Sequence, residues 1–135
     1  MRCADSKMNI AEDLKYSQDH EWVRVDGDTA YVGITDYAQN SLGDIVFVEL
    51  PQVDTQLAAK DVLGVVESIK AASDIYTPIG GTVVETNAAL EDAPEKLNSD
   101  PYESWLAALK INDASGIDDL MDADEYRAFC EAAAE

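Results

Sequence analysis

Short apolar segments separated by turn residues run through most of this chain, and they restrict it to folds built from β-strands. Residues 20–25 end at Asp26-Gly27, a dipeptide typical of tight hairpin turns, and Thr29–Ile34 then alternates as a return strand would. The same pattern predicts further strands at 45–50, 61–68, 73–77, 82–87 and 105–111. We therefore expect a mainly β domain of two small facing sheets, a sandwich or flattened barrel.

Two helices are predicted beside these strands. Thr35 is a suitable N-cap and Gly43 a suitable stop, which leaves room for one short helix between them. Residues 122–135 form the second helix, since their apolar side chains recur at helical spacing and would pack against the sheets. These side chains are Tyr126, Phe129, Cys130 and Ala133. Residues 88–101 should form turns with at most one helical turn.

A weak internal similarity links two parts of the strand-rich region. Residues 43–46 and 81–84 each open a strand after a glycine, and each is followed further along the chain by a second apolar strand. The similarity is too short to establish a repeat. It favours two related half-structures that face each other.

A large excess of acidic residues limits the possible partners. The chain has 135 residues, enough for one domain, and its 28 Asp and Glu outnumber 9 Lys and Arg to give a formal net charge of −19. Such a surface repels nucleic-acid phosphates and anionic membranes, so neither is expected as a partner. It suits enzymes with basic docking surfaces, although solubility alone explains the excess equally well.

Cysteine and histidine are too few and too far apart for a metal site. Cys3 and Cys130 lie near opposite ends, and His20 is the only histidine, so we expect neither a metal nor a structural disulfide. Residues 1–13 are predicted to be an N-terminal extension and 14–135 the domain itself. The start of the chain has no apolar signal core or Arg-rich transit pattern, which predicts a cytoplasmic setting.

The segment with the clearest chemical content surrounds Lys70. An apolar strand enters it, another leaves it, and small residues follow the lysine: Ala71, Ala72 and Ser73. A lysine at the tip of such a turn is exposed, whereas lysines that act as catalytic nucleophiles are usually desolvated. An exposed amine on a rigid turn is better placed to be acylated by another enzyme. From the spacing alone, an ordinary solvated turn lysine is the simpler interpretation.

The residues of this turn also match a known family. The segment Glu67-Ser68-Ile69-Lys70-Ala71-Ala72-Ser73-Asp74 resembles the lipoylation motif of glycine cleavage H proteins. Further matches follow in the family's order: His20-Glu21-Trp22, Gly33-Ile34-Thr35-Asp36 with Ala38-Gln39, Gly43 through Pro51, Pro78 through Asn87, and Asp100-Pro101-Tyr102 with Trp105-Leu106. Each match is weak alone, but the ordered set, which covers roughly residues 14–111, is highly specific.

Two positions depart from the family's pattern. Glu103-Ser104 stands where the family usually has a glycine, and Tyr37 stands where relatives often have histidine. Both lie away from the lysine turn, so they affect loop detail rather than the role of the chain.

The resemblance implies a lipoyl- or biotinyl-domain-like barrel-sandwich hybrid that acts as a carrier, without catalytic residues of its own. Lipoate would be bound in amide linkage to Lys70, and its dithiolane would supply reactivity that side chains lack. A pyridoxal-phosphate glycine decarboxylase would load an aminomethyl group, and a tetrahydrofolate-dependent aminomethyltransferase would take the methylene and release ammonia. Dihydrolipoamide dehydrogenase would reoxidise the dithiol. A lipoylating enzyme would attach the arm, and the carrier would be a monomer.

Three acidic residues have roles implied by the resemblance. Glu67, three residues before Lys70, would help the lipoylating enzyme to recognise the turn. Glu21 and Asp74 would dock the loaded arm, whose ammonium needs a carboxylate and shelter from water. For both, an ordinary solvated acid is an equally good interpretation.

Three other residues are expected to be structural. His20 is interpreted as a hydrogen-bonded structural group rather than an acid or base. Trp22 and Trp105 are predicted to lie in the core.

Three other functions compete with this interpretation; the first stays open, and the sequence disfavours the other two. Some H-like proteins pass lipoate to other complexes, and their lysine turn looks the same. A biotin carrier typically flanks its lysine with Met on both sides, whereas the flanks here are Ile69 and Ala71. An enzyme that used Lys70 as a Schiff base would need that lysine to be buried.

Overall fold

The computed structural model describes residues 13–111 and 114–133. Within these ranges the chain forms nine strands, four α-helices and one 3-10 helix. The strands are β1 (Lys15–Tyr16), β2 (Glu21–Asp26), β3 (Thr29–Ile34), β4 (Ile45–Glu49), β5 (Gln56–Leu57), β6 (Val62–Ser68), β7 (Ala72–Tyr76), β8 (Gly81–Thr86) and β9 (Ala107–Ile111). The helices are α1 (Asp36–Leu42), α2 (Ala89–Asp92), α3 (Lys96–Ser99) and α4 (Ala123–Ala133), and the 3-10 helix is Ala114–Asp119.

Two antiparallel sheets share one core. The larger sheet has the strand order β1-β2-β3-β9-β8-β5, and the smaller has the order β4-β6-β7. Apolar side chains from both sheets meet in a single buried cluster, which includes Val32, Val83 and Leu109 from the larger sheet and Val48, Leu63, Val66 and Ile75 from the smaller. The predicted mainly β fold of two facing sheets is therefore confirmed.

The two glycine-led segments that resemble each other lie in different sheets. β4 pairs with β6 in the smaller sheet, and β8 pairs with β9 in the larger. Each segment is thus antiparallel to the apolar strand that follows it, and the relation between two half-structures stays a prediction.

Local signals position most of these elements correctly. α1 is capped at its start by Thr35, whose side chain accepts the Ala38 N–H, and at its end by Gly43 with φ of 85°. Residues 88–101 differ from the prediction, because they contain two short helices, α2 and α3, instead of at most one helical turn. The two-residue strands β1 and β5 were also missed, since only their pairing with β2 and β8 makes them strands.

A second group of buried side chains, the aromatic cluster, lies between α4 and the edge of the larger sheet. Its buried members are Leu14, Tyr16, Trp22, Ala123, Tyr126 and Cys130. The rings of Tyr16 and Tyr126 stack with their centroids 4.5 Å apart. α4 therefore packs through the apolar face that its sequence predicts, although the Ala133 side chain lies outside the described residues.

Trp105 lies at the margin of the core and not inside it, so the prediction from sequence is only partly right. It is half-buried, and its ring meets the Tyr31 ring edge-on with centroids 5.2 Å apart. It packs against the aromatic cluster, whereas its neighbours Ser104 and Leu106 are buried. Trp22, by contrast, is fully buried as predicted.

Some predictions involve residues that the structure does not describe. Of the predicted N-terminal extension only Asp13 lies within the described ranges, and the expectation of no disulfide depends on Cys3, which lies outside them. The predicted domain limits stay predictions. No helix in the described part of the chain is both long and apolar enough to cross a membrane.

Gly33 is a position where an added side chain should be costly, because the Trp22 ring fills the space beside it. A Cβ on Gly33 would lie 2.6 Å from Trp22 ring carbons, whereas a Cβ on Gly80 would lie 3.3 Å from its nearest neighbour. We expect Gly33→Ala to lower the free energy of unfolding by about 1–3 kcal/mol, and Gly80→Ala to lower it by less. Urea unfolding followed by tryptophan fluorescence measures both, and equal losses would contradict this account.

Candidate functional site

The turn that presents Lys70 joins β6 to β7 and is organised by Ser68. The Ser68 N–H donates to the Ala71 carbonyl oxygen at 2.7 Å. The Ser68 hydroxyl oxygen accepts from the N–H groups of Lys70 at 3.3 Å and Ala71 at 3.1 Å. The Ile69 N–H donates to the Asp44 carbonyl oxygen at 3.0 Å, which ties the turn to the residue before β4. These bonds hold the turn, so its shape does not depend on the lysine side chain.

The Lys70 side chain is exposed, as predicted, and its stem runs over Gly43. A Cβ on Gly43 would lie 3.2 Å from Cε and 3.9 Å from Nζ of Lys70. Gly43 also closes α1 with φ of 85°, a conformation that favours glycine. The same residue therefore ends the helix and leaves a cradle for the lysine stem. Among the described residues, no carboxylate forms an ion pair with the amine.

Glu67 and Asp74 are both exposed, on β6 and β7 of the smaller sheet. Glu67 lies opposite Phe47 of β4 and Ala72 of β7 in the register of the strands. Asp74 lies opposite Val65. Both carboxylates are therefore on the outer face of the sheet that leads into the lysine turn, and Glu67 is the nearer of the two along the strand.

Glu21 lies in very different surroundings, with only 2% of its surface exposed. The Ser17 hydroxyl donates to Oε1 at 2.8 Å, and the Tyr76 N–H donates to Oε2 at 3.0 Å. Burial raises the pKa of Glu21 to about 7, although the hydrogen bonds from Ser17 and Tyr76 act to lower it. Glu21 thus joins the start of β2 to the end of β7, and its charge depends on pH near neutrality.

The two predicted docking residues, Glu21 and Asp74, both lie at β7. Glu21 accepts the Tyr76 N–H, and Asp74 stands two residues before Tyr76 on the same strand. The Asp74 side chain is in water, whereas the Glu21 carboxyl is buried with a donor on each oxygen. A cationic group would therefore meet Asp74 at the surface and reach Glu21 only if the surrounding side chains moved.

A chain of hydrogen bonds that the sequence did not predict runs beside Glu21. His20 Nδ1 lies 2.7 Å from the Tyr126 hydroxyl oxygen, which lies 2.7 Å from the Thr35 hydroxyl oxygen. Thr35 in turn accepts the Ala38 N–H at the start of α1. The hydrogen bonds fasten α4 and the start of α1 to the residue next to Glu21.

His20 itself has the structural role that the sequence analysis expected. Its ring stacks on Tyr37 with centroids 4.2 Å apart, and its backbone adopts a φ of 66°. Burial lowers the pKa of His20, against a smaller opposite effect of Asp19. No local pattern could have identified Tyr126 as its partner, because 106 positions separate the two residues.

Comparison with known proteins decides the family. A family model described as the glycine cleavage H-protein matches residues 14–133, nearly the whole chain. The chain belongs to the glycine cleavage H-protein family.

Bacterial members of this family resemble the chain closely. The glycine cleavage system H protein of Thermoanaerobacter sp. (strain X514) is 59% identical over 122 residues, which are 90% of this chain and 97% of the relative. That of Staphylococcus carnosus is 52% identical over 121 residues, or 89% and 96% of the two chains. The crystal structure of a glycine cleavage system H protein from Mycobacterium marinum matches with a TM-score of 0.81 at 38% identity, and covers 88% of this chain and 97% of that one.

Membership of the glycine cleavage H-protein family defines the general role. Members are non-catalytic carriers that bear lipoate on a lysine, so this chain is a lipoyl carrier subunit that acts with other enzymes of the glycine cleavage system. The surroundings of Lys70 fit such a group, because the amine is exposed and the stem rests in the cradle at Gly43. In the described residues there is no group of three or more His, Cys, Asp and Glu side chains that could hold a metal ion.

The buried carboxyl of Glu21 should make stability depend on pH. Between the ordinary value of 4.5 and about 7, the folded chain keeps a proton that the unfolded chain has lost. The free energy of unfolding contributed by Glu21 therefore falls as pH rises through this window, by roughly 3 kcal/mol in total. Glu21→Gln removes the titration but keeps the shape of the side chain, so the difference between wild type and variant should change with pH only in that range.

Chemical denaturation at a series of pH values measures this difference, and the titration of His20 cancels because both proteins contain it. Glu85→Gln, at an exposed position on β8, is the matched control and should give a difference that does not vary with pH. If the free energies of unfolding of wild type and Glu21→Gln differ by a constant amount from pH 4.5 to 7, the buried carboxyl does not titrate in that range.

Proposed function

We propose that Lys70 is the residue that carries lipoate, in amide linkage, and that the loaded chain carries the aminomethyl group of glycine between enzymes. The donor would be a pyridoxal-phosphate glycine decarboxylase, the acceptor a tetrahydrofolate-dependent aminomethyltransferase, and dihydrolipoamide dehydrogenase would restore the disulfide. The observation that carries the proposal is the position of Lys70 at the tip of a turn held by Ser68, with its amine exposed. We also propose that the carrier is a monomer in the cytoplasm.

Several residues around Lys70 have separate proposed roles. When bound, lipoate supplies a cyclic disulfide that accepts and releases the one-carbon unit, which is chemistry that the side chains lack. Ser68 keeps the turn rigid, so the amine is presented in one place to each enzyme. Gly43 leaves room for the stem to lie along the surface. Glu67, exposed on the strand that leads into the turn, is suited to recognition by the lipoylating enzyme.

The edge of β7 is the proposed resting place for the cationic end of the loaded arm. Asp74 supplies a carboxylate in water, where a single ion pair contributes little, up to about 1 kcal/mol. Glu21 supplies a carboxyl whose raised pKa lets it be either ionised or protonated near neutral pH. An ammonium brought close to Glu21 would favour the ionised form, because opposite charges attract more strongly in a desolvated place.

Lys70 should be the sole site of lipoylation. Treatment of the unmodified chain with a lipoate ligase, lipoate and ATP, followed by peptide mass spectrometry, should find the modification on Lys70 alone. Loss of one positive charge takes the formal net charge from −19 to −20, which native electrophoresis detects.

Lys70→Arg should abolish the modification and change stability by less than ~0.5 kcal/mol, because an exposed side chain is lost. Lys110→Arg, at an exposed position on β9, is the control and should still be lipoylated. Lipoate found on the Lys70→Arg chain would overturn the assignment.

Glycine-dependent release of carbon dioxide separates a glycine carrier from a protein that only passes lipoate on. With a cognate glycine decarboxylase, the lipoylated chain should support this release and gain the mass of the transferred group. Asp74→Asn should still be lipoylated, but the gained mass should be lost up to about fivefold faster, since a neutral amide does not hold an ammonium.

Asp92→Asn, at an exposed position on α2, is the control for this measurement and should behave like wild type. No carbon dioxide from a decarboxylase that is active with another carrier would contradict the proposed function. Transfer of lipoate to a second acceptor domain would then identify the chain as a lipoyl relay.

A further inference from the structure

Exposed apolar side chains flank the lysine turn. Ile69, next to Lys70, is 71% exposed, and Val46 and Phe47 of β4 are 55% and 48% exposed. These three residues are named here the turn-flanking patch. They are neighbours, because the Asp44 carbonyl oxygen accepts the Ile69 N–H and Phe47 lies opposite Glu67 in the register of β4 and β6.

The exposure of two consecutive apolar residues on β4 results from a β-bulge. The register of β4 against β6 shifts between Ile45 and Phe47, so Val46 is an extra residue. Ile45 and Val48 point into the core on either side of the pair. A regular strand would turn one of the two exposed side chains inward, so the bulge enlarges the apolar surface beside the turn.

Acidic side chains surround the turn-flanking patch. Asp44, Glu49, Glu67 and Asp74 are all exposed, and none of them forms an ion pair with another described residue. In register, Glu67 is opposite Phe47, and both Glu49 and Asp74 are opposite Val65. Apolar and acidic side chains therefore alternate over this face. Such a surface is complementary to an apolar recess bordered by lysine and arginine side chains.

The chemistry at Lys70 limits which partner must approach this closely. An enzyme that acts on the far end of a bound arm can stand off by the length of that arm. The enzyme that forms the amide must instead bring its active site to Nζ of Lys70, so its surface meets the residues beside the lysine. Ile69 is next to the reacting residue, and the rest of the turn-flanking patch adjoins Ile69.

We propose that the turn-flanking patch and its acidic border are the docking surface for the enzyme that acylates Lys70, an inference that rests on the proposed function of that lysine. In the reaction, Nζ attacks the carbonyl carbon of an activated lipoyl ester. The new C–N bond forms, the C–O bond to the leaving group breaks, and the leaving group keeps the electron pair while the amine loses a proton. The partner's contact surface has an apolar recess with a basic border.

The test compares patch variants with equally exposed apolar residues elsewhere. Phe47→Ser and Ile69→Ser change the turn-flanking patch, whereas Val84→Ser on β8 and Val53→Ser change residues that are 46% and 50% exposed away from it. With a lipoate ligase, lipoate and ATP, the two patch variants should raise KM for the unmodified chain by about tenfold and leave kcat nearly unchanged. The two controls should stay within about twofold of wild type.

A small activated ester separates docking from exposure of the amine. An N-hydroxysuccinimide ester needs no protein surface, so it should acylate Lys70 at the same rate in wild type and both patch variants. If Phe47→Ser melts well below wild type, Ile69→Ser decides the result, since Ile69 lies in the turn and is 71% exposed. If the KM of Ile69→Ser equals that of Val84→Ser, the proposed docking surface is wrong.

The acidic border has its own measurement. Glu49→Gln should raise KM at low salt and make it less sensitive to ionic strength, whereas Glu85→Gln on β8 should do neither. If KM depends on ionic strength equally in wild type and Glu49→Gln, the acidic border is not part of the docking surface. If the ligase modifies the wild-type chain at a residue other than Lys70, the proposed function itself is refuted. That failure is distinguishable from a failure of the docking surface alone.

Discussion

The close pairing of β4 with β6 is the contact on which the placement of the site depends. β6 is the central strand of the smaller sheet, with β4 and β7 on either side. β4 approaches it at Gly64, where a Cβ would collide with the Glu49 carbonyl oxygen. From there Leu63 and Val66 point into the shared core, and β6 ends at the turn that carries Lys70. The lysine is thus positioned by a core on the opposite face of the sheet.

The acidic residues of the chain have two different physical roles. On the outer face of the smaller sheet they are solvated, so their effect on folding is small and they remain available to a partner. Glu21 is buried and tied to Ser17 and Tyr76, so its charge is coupled to the contact between β2 and β7. The adjoining residue, His20, is held by Tyr126 of α4. The C-terminal helix therefore supports the residue that precedes Glu21.

Features encoded by neighbouring residues could be predicted from the sequence. Gly27, with a φ of 65°, forms the turn between β2 and β3 together with Asp28, and Thr35 and Gly43 determine both ends of α1. The exposure of Lys70 also follows locally, because the apolar strands and small residues around it leave only a short turn. The strand pattern could not give the partial burial of Trp105, because that depends on contacts with Tyr31 and the aromatic cluster, which are distant in the chain.

The sequence by itself determined the strand-rich fold, the lysine turn and the family, because each depends on adjacent residues or on short motifs in a fixed order. Only the tertiary structure decided the state of Glu21, whose burial and bond to Tyr76 join positions 55 apart. It also decided the partnership of His20 with Tyr126 and the outward direction of Val46 and Phe47. The physical reason is that burial, hydrogen-bond partners and register are properties of pairs of distant segments, and they come into existence when the two sheets close over their common core.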